Sequence, residues 1–239
     1  MDTASLNNEA SFVNAPTFFA KHNTTNHQSF TTRRSPVMEP ISKVNLERIT
    51  NGIYAFTMTL MIRNIQTPVA GTITNETALE NFLVSTTFSV TDFIGAFIIL
   101  GMFWLFYFQM FHRMKTFDYR FLYIHLLSLM VVVFVPFTQS FATQSELVPA
   151  ANIPFQLNYL VLAILLTWAW HHARSHPALL APELTEAEAS FLSKKFLVPL
   201  GVAIIGLVMV GAGAGYIDLL YLLPLVILGI FFRHPPQEA

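Results

Sequence analysis

After residue 42 the chain is a succession of long apolar runs joined by short polar segments. A helix that crosses the hydrocarbon of a bilayer takes about 20 mostly apolar residues. Six stretches meet that need: 46–65, 89–111, 119–141, 153–170, 196–216 and 217–232. Pro68 closes the first, since proline removes a backbone donor and clashes with the preceding turn. The sixth is short and has Asp218 at its edge, so the last two are expected to form a tight helical hairpin. Residues 1–42 are polar, rich in Ser, Thr and Asn, and hold no apolar run long enough for a signal peptide. They read as a flexible cytoplasmic tail, with a short amphipathic piece around 12–19. Residues 43–234 then form a six-helix transmembrane domain and 235–239 a short cytoplasmic tail.

Charge orients these spans. Lys and Arg retained on the cytoplasmic side set membrane topology. With the amino terminus inside, cytoplasmic segments hold twelve of the thirteen Lys and Arg residues, and only Arg63 falls on the other side. The short loops agree without the tail, through Arg113, Lys115, Arg120, Arg174, Lys194 and Lys195. The expected architecture is therefore all-α, with six transmembrane helices and both termini cytoplasmic.

Composition agrees with a lipid environment. Charged residues make up 11% of the 239, against about a quarter in soluble domains, and 54% of positions are apolar. A net charge of −1 provides no general attraction to nucleic acid. The absence of cysteine excludes disulfides, thiolate metal sites and cysteine nucleophiles.

Catalytic chemistry is thinly supported. No span contains a carboxylate pair, and no cofactor site is expected. Glu183, Glu186 and Glu188 read as the start of a helix capped by Thr185, because acids favour a helix amino end. His171, His172 and His176 crowd the end of the fourth span. His172 and His176 have the i, i+4 spacing of a metal pair but lack an acidic third ligand, so they read as an interfacial cluster rather than a metal site. His125 lies inside the third span among leucines. A titratable group at that depth is a candidate proton or polar-network site, with a buried hydrogen-bonded histidine as the structural reading. Pro136, Pro199 and Pro224 are expected kinks. Gly201, Gly206, Gly211, Gly213 and Gly215 point to close packing of the fifth helix.

The first helix is the least lipid-like, carrying Thr50, Asn51, Thr57, Thr59 and Arg63. Phe56, Thr59, Leu60 and Arg63 fall at i, i+3, i+4 and i+7 and share one face. Such a mixed face suits a water-filled or protein-packed axis, which several copies of the chain would enclose more readily than one.

Residues 46–60 read Leu-Glu-Arg-Ile-Thr-Asn-Gly-Ile-Tyr-Ala-Phe-Thr-Met-Thr-Leu. This resembles the R-L-E-A-F-S-D-G-V-F-A-I-A-I-T-L signature of the endolysosomal potassium-channel family and its bacterial homologues. Phe103-Trp104, Arg113, Asp118 and Val135-Pro136-Phe137-Thr138 follow that family's second and third helices in order and spacing, so the resemblance covers about 43–139. It implies a potassium-permeable cation channel without a P-loop filter, with six helices per subunit. It also implies a homotetramer whose pore is lined by the first helix and narrowed at an apolar residue. The family's pore positions carry over onto Phe56, Thr59, Leu60 and Arg63, the face already picked by helical spacing. Its motif positions fall on Asn45, Ile49, Thr50, Asn51 and Trp104.

This sequence departs from the motif. Asn45 replaces the leading Arg, and Ile49, Thr50 and Asn51 replace Phe, Ser and Asp. Loss of the Arg and Asp together fits a pair replaced as a unit. Arg63 stands where an apolar residue is usual, and Phe56 is larger than the usual constriction residue. The expected permeants are potassium and other monovalent cations or protons, and the expected location is a bacterial plasma membrane. The second reading is a secondary transporter or proton-conducting protein using His125.

Overall fold

The computed structural model describes residues 42–65, 67–144, 149–213 and 223–231, all within the unit Pro40–Ala239. The amino-terminal tail, the short carboxyl-terminal tail and residues 214–222, where the tight hairpin of the last two spans was expected, lie outside the described residues.

Among the described residues six α-helices follow in chain order: α1 Lys43–Leu60, α2 Glu76–His112, α3 Tyr119–Gln144, α4 Ile153–Arg174, α5 Glu186–Gly211 and α6 Leu223–Phe231. Four of these segments are long and apolar enough to cross a membrane: Glu76–His112, Tyr119–Phe141, Ala150–Arg174 and Glu186–Gly211. The protein is thus an all-helical, multi-pass integral membrane protein. α1 has 18 residues and is extended by a 3-10 turn over Met61–Asn64. Of the expected sixth span, 223–231 is seen as helix and 217–222 lies outside the described residues.

Two helices begin earlier than their apolar runs. α2 starts at Glu76 rather than near Ser89, because the Asn75 side chain accepts the Ala78 N–H at 2.8 Å and caps it. Its 37 residues rise about 55 Å, against roughly 30 Å of hydrocarbon, so its first turns exceed the bilayer. α5 starts at Glu186, ten residues before the expected Phe196. Thr185 accepts the Glu188 N–H at 3.2 Å, and Glu186 and Glu188 occupy the first turn, as the sequence suggested.

α4 lies between α3 and α5 and packs extensively against both, while α1 packs on α2 and α3. The core is aromatic: Phe103 meets Tyr159 edge-on at 5.3 Å, and Phe196 meets Phe106 at 5.6 Å and Trp170 at 5.4 Å. Pro136 lies inside α3 and takes one donor out of its ladder. The Asn158 amide of α4 reaches the turn just before it. That amide donates to the Val131 carbonyl at 3.2 Å and accepts from the Val135 N–H at 3.1 Å, a side chain inserted into the helix ladder.

Close packing through glycine is narrower than expected. Only Gly206 is tight: a Cβ there would lie 2.8 Å from Gln156 Oε1, whereas Gly201, Gly211 and Gly213 face open space. Gly213 serves backbone conformation instead, with φ +83° beyond the end of α5. Gly215 lies outside the described residues.

The ends of α2 and α4 are joined by their following loops. The Lys115 N–H donates to the Leu179 carbonyl at 2.8 Å and the Ala181 N–H to Arg113 at 3.0 Å, with Met114 and Leu180 forming an isolated antiparallel bridge. Lys43 Nζ donates to the Met114 carbonyl at 2.9 Å and ties the start of α1 to this joint.

Candidate ion pathway along the first helix

α1 has two unlike faces. Leu46, Thr50, Tyr54, Thr57 and Met61 recur at helical spacing and are buried against the other helices. On the opposite side Asn45, Ile49, Phe56, Thr59 and Arg63 are exposed within the subunit; Phe56 retains 59% of its surface, and Leu60 is half-buried at the edge of the stripe.

Three side-chain contacts hold the buried face in place. Thr50 donates its hydroxyl proton to the Leu46 carbonyl at 2.8 Å. Its oxygen also lies 2.7 Å from His125 Nε2, a hydrogen bond that ties α1 to α3. His125 is fully buried, and Nδ1 has no partner among the described residues. Its ring is boxed by Tyr107 at 4.6 Å, Phe111 at 5.0 Å and Phe121 at 6.2 Å, and Tyr107 is itself held by Ser128 at 2.8 Å. One residue along, Trp104 Nε1 donates to Asn51 Oδ1 at 2.8 Å. At the far end Asn64 Nδ2 donates to the Pro136 carbonyl at 2.9 Å, within 3.4 Å of Gln139 Oε1, and Gln139 Nε2 donates to the Asp92 carbonyl at 2.8 Å. α1 is thereby pinned to α3 at two levels and to α2 at a third.

The exposed stripe carries two polar side chains beyond Phe56. Thr59 donates its hydroxyl proton to the Phe56 carbonyl at 2.7 Å, which leaves its oxygen lone pairs turned outward. Arg63 projects from the 3-10 turn, and no carboxylate among the described residues pairs with it. Asn45 and Asn51 are six residues apart, so they point about 120° away from each other.

The histidines at the end of α4 divide. His172 lies 2.8 and 3.1 Å from the two Asp118 carboxylate oxygens, and its ring packs on His176 at 4.4 Å. His176 Nδ1–H donates to the His172 carbonyl at 2.9 Å, and His171 is exposed. Burial alone would raise the Asp118 carboxyl, but the Phe121 N–H at 2.9 Å and His172 outweigh it and hold Asp118 below the usual carboxylate range. Asp118 as the partner of His172, and Asn64, Gln139 and Asn158 as interhelical braces, escaped the sequence reading. The one available signal for Gln139 and Asn158 was a polar side chain within an apolar run.

A multi-pass helical membrane protein with one mixed polar face left open on its first helix is the class that fold and geometry define. Residues 45–136 match the model of the family described as endosomal/lysosomal potassium channel TMEM175. A curated protein from Chamaesiphon minutus, named a potassium channel, is 26% identical over 154 residues, covering 63% of this chain and 75% of that one. The crystal structure of a lysosomal potassium-selective channel TMEM175 homolog from the same organism superposes with a TM-score of 0.65 at 21% identity, over 80% of this chain and 96% of that one. The likeness to the solved structure shows a shared fold. The resemblance drawn from the motif of the first helix therefore holds, and the family match runs from that helix to Pro136 in α3.

Proposed function

We propose that the protein is a subunit of a potassium-permeable cation channel. In this reading it has six membrane helices, cytoplasmic termini and a homotetrameric assembly in a bacterial plasma membrane, with the exposed face of α1 lining the pore. The observation that carries the reading is the division of α1. One face is buried and hydrogen-bonded, while the other exposes Phe56, Thr59 and Arg63 with nothing among the described residues covering them. Lipid would accept Phe56 on such a face but not the adjacent Thr59 and Arg63 at matching register.

Four Phe56 rings around an axis form an apolar constriction that closes by excluding water. The Thr59 oxygens, one turn on, are the nearest polar contacts for an ion leaving that constriction. A ring of Arg63 side chains at the outer mouth would oppose cation entry, so weak or altered selectivity is expected. His125 is sealed behind α1 and bonded to Thr50, which suits a brace better than a proton carrier. The carrier reading has no observation of its own.

Potassium flux through purified protein in liposomes tests this. Phe56→Ala is expected to raise flux at least about tenfold by removing an apolar seal, and Arg63→Leu to raise it less. Saturating exchange that is insensitive to both substitutions would make the protein a carrier instead.

A further inference from the structure

A cleft of about 440 Å³ opens where the α2–α3 loop meets the loop between α4 and α5. It lies at the end of the helices where basic side chains gather. Its polar wall carries Lys115 and Arg174, and its apolar wall carries Pro177, Leu180, Pro182 and Leu184. The backbone bonds of Lys115 and Ala181 across the two loops hold these walls together, so the cleft is a consequence of the fold and not of one mobile side chain.

The two cations differ in how they are engaged. Arg174 is held by Glu186 through Nη2 and by Ser193 through Nη1 at 3.2 Å, which fixes the guanidinium and leaves further N–H donors free. Lys115 is exposed, and no carboxylate among the described residues neutralises it. The one acid on the wall, Glu186, is the partner of Arg174 and keeps 78% of its side chain in water, so Lys115 is the cation of the cleft that no described carboxylate compensates. A preorganised guanidinium, a free ammonium and an apolar wall at a membrane boundary match a phosphate attached to something greasy.

We propose that this cleft binds the phosphate group of an anionic phospholipid, with Lys115 and Arg174 on the headgroup and the Pro177–Leu184 wall against its glycerol and upper acyl carbons. A free phosphate offers the same charge but nothing for the apolar wall. The site is independent of ion conduction and stands or falls separately from it.

The test measures lipid retained by the purified full-length chain. Native mass spectrometry and titration with phosphatidylglycerol are compared with phosphatidylcholine and with inorganic phosphate. Lys115→Ala is expected to weaken phosphatidylglycerol binding about fivefold and Lys115→Glu about thirtyfold, from the usual attraction of one cation for an anionic headgroup. Arg174→Gln should act in the same direction. Arg120→Ala, an exposed cation at the same end outside the cleft, should change binding less than about twofold. Thermal unfolding in neutral detergent shows that each variant is folded, and Lys115→Gln replaces Lys115→Glu if the latter is not. Equal loss in Arg120→Ala, or none in the Lys115 variants, overturns the site in favour of diffuse surface attraction. Displacement of the lipid by inorganic phosphate overturns the lipid assignment and makes the cleft a free-anion site.

Discussion

The two halves of the helical bundle place their polar contacts differently. α1, α2 and α3 meet through polar side chains that each find a partner across a helix boundary: Thr50 with His125, Asn51 with Trp104, Asn64 with the Pro136 carbonyl, and Gln139 with the Asp92 carbonyl. α4 and α5 also share hydrogen bonds, but these gather toward one end, where Trp170 Nε1 and Arg174 Nη1 donate to Ser193 Oγ and Thr167 donates to the Phe196 carbonyl. Further along, Gly206 approaches the buried Gln156 amide, which has no partner among the described residues. Hydrogen bonds fix rotation and register as well as proximity, whereas apolar packing in lipid fixes mainly shape. In α1 such bonds lie near both ends of the helix, at Thr50 and Asn51 and again at Asn64.

Substitutions can break this contrast in order of effect. The largest belongs to His125→Ala, which removes the Thr50 bond and empties a ring-sized space between Tyr107, Phe111 and Phe121. A loss of about 3 kcal/mol is expected in detergent unfolding, and a loss under about 1 kcal/mol would deny His125 its bracing role. Next is Gly206→Val, which drives a branched side chain into Gln156 and should cost about 2 kcal/mol by overpacking. Gly201→Val, facing open space, should be close to neutral in the same assay. Gln156→Leu should then be neutral or gain up to about 1 kcal/mol, because it exchanges an unbonded buried amide for an apolar group of similar size. A clear loss would show that the amide is bonded after all and that the two halves are more alike than described.

The smallest effect concerns the joint between α3 and α4. Asp118 is depressed in the folded protein, so its contribution is fully present above the ordinary carboxylate range and is lost as pH falls through the depressed value. Asp118→Asn, which can still accept the Phe121 N–H, should flatten that acid arm of the stability curve. An unchanged acid arm would mean that His172 does not feel the Asp118 charge.

Much of this was legible along the chain because a bilayer imposes a long apolar period that needs no tertiary information. The spans at 119–141 and 153–170 fall within α3 and α4, and the Thr185 cap was read from local chemistry alone. Helix starts were harder. The first turns of α2 and α5 are polar, so hydropathy ends where capping by Asn75 and Thr185 still continues the helix. The stripe of Phe56, Thr59 and Arg63 followed from 3.6-residue spacing, and its exposure within the subunit agrees with that spacing.

By itself, then, the sequence determined that the chain spans a membrane, which face of α1 is mixed, and which family motif it resembles, since these depend on residue type and short-range periodicity. Only the tertiary structure decided which partner each buried polar group takes. Trp104 lies 53 residues from Asn51 and His125 75 residues from Thr50, distances at which no local rule operates. It likewise selected Gly206 from among the fifth helix's glycines, because close approach depends on what lies opposite, and what lies opposite is Gln156 of another helix.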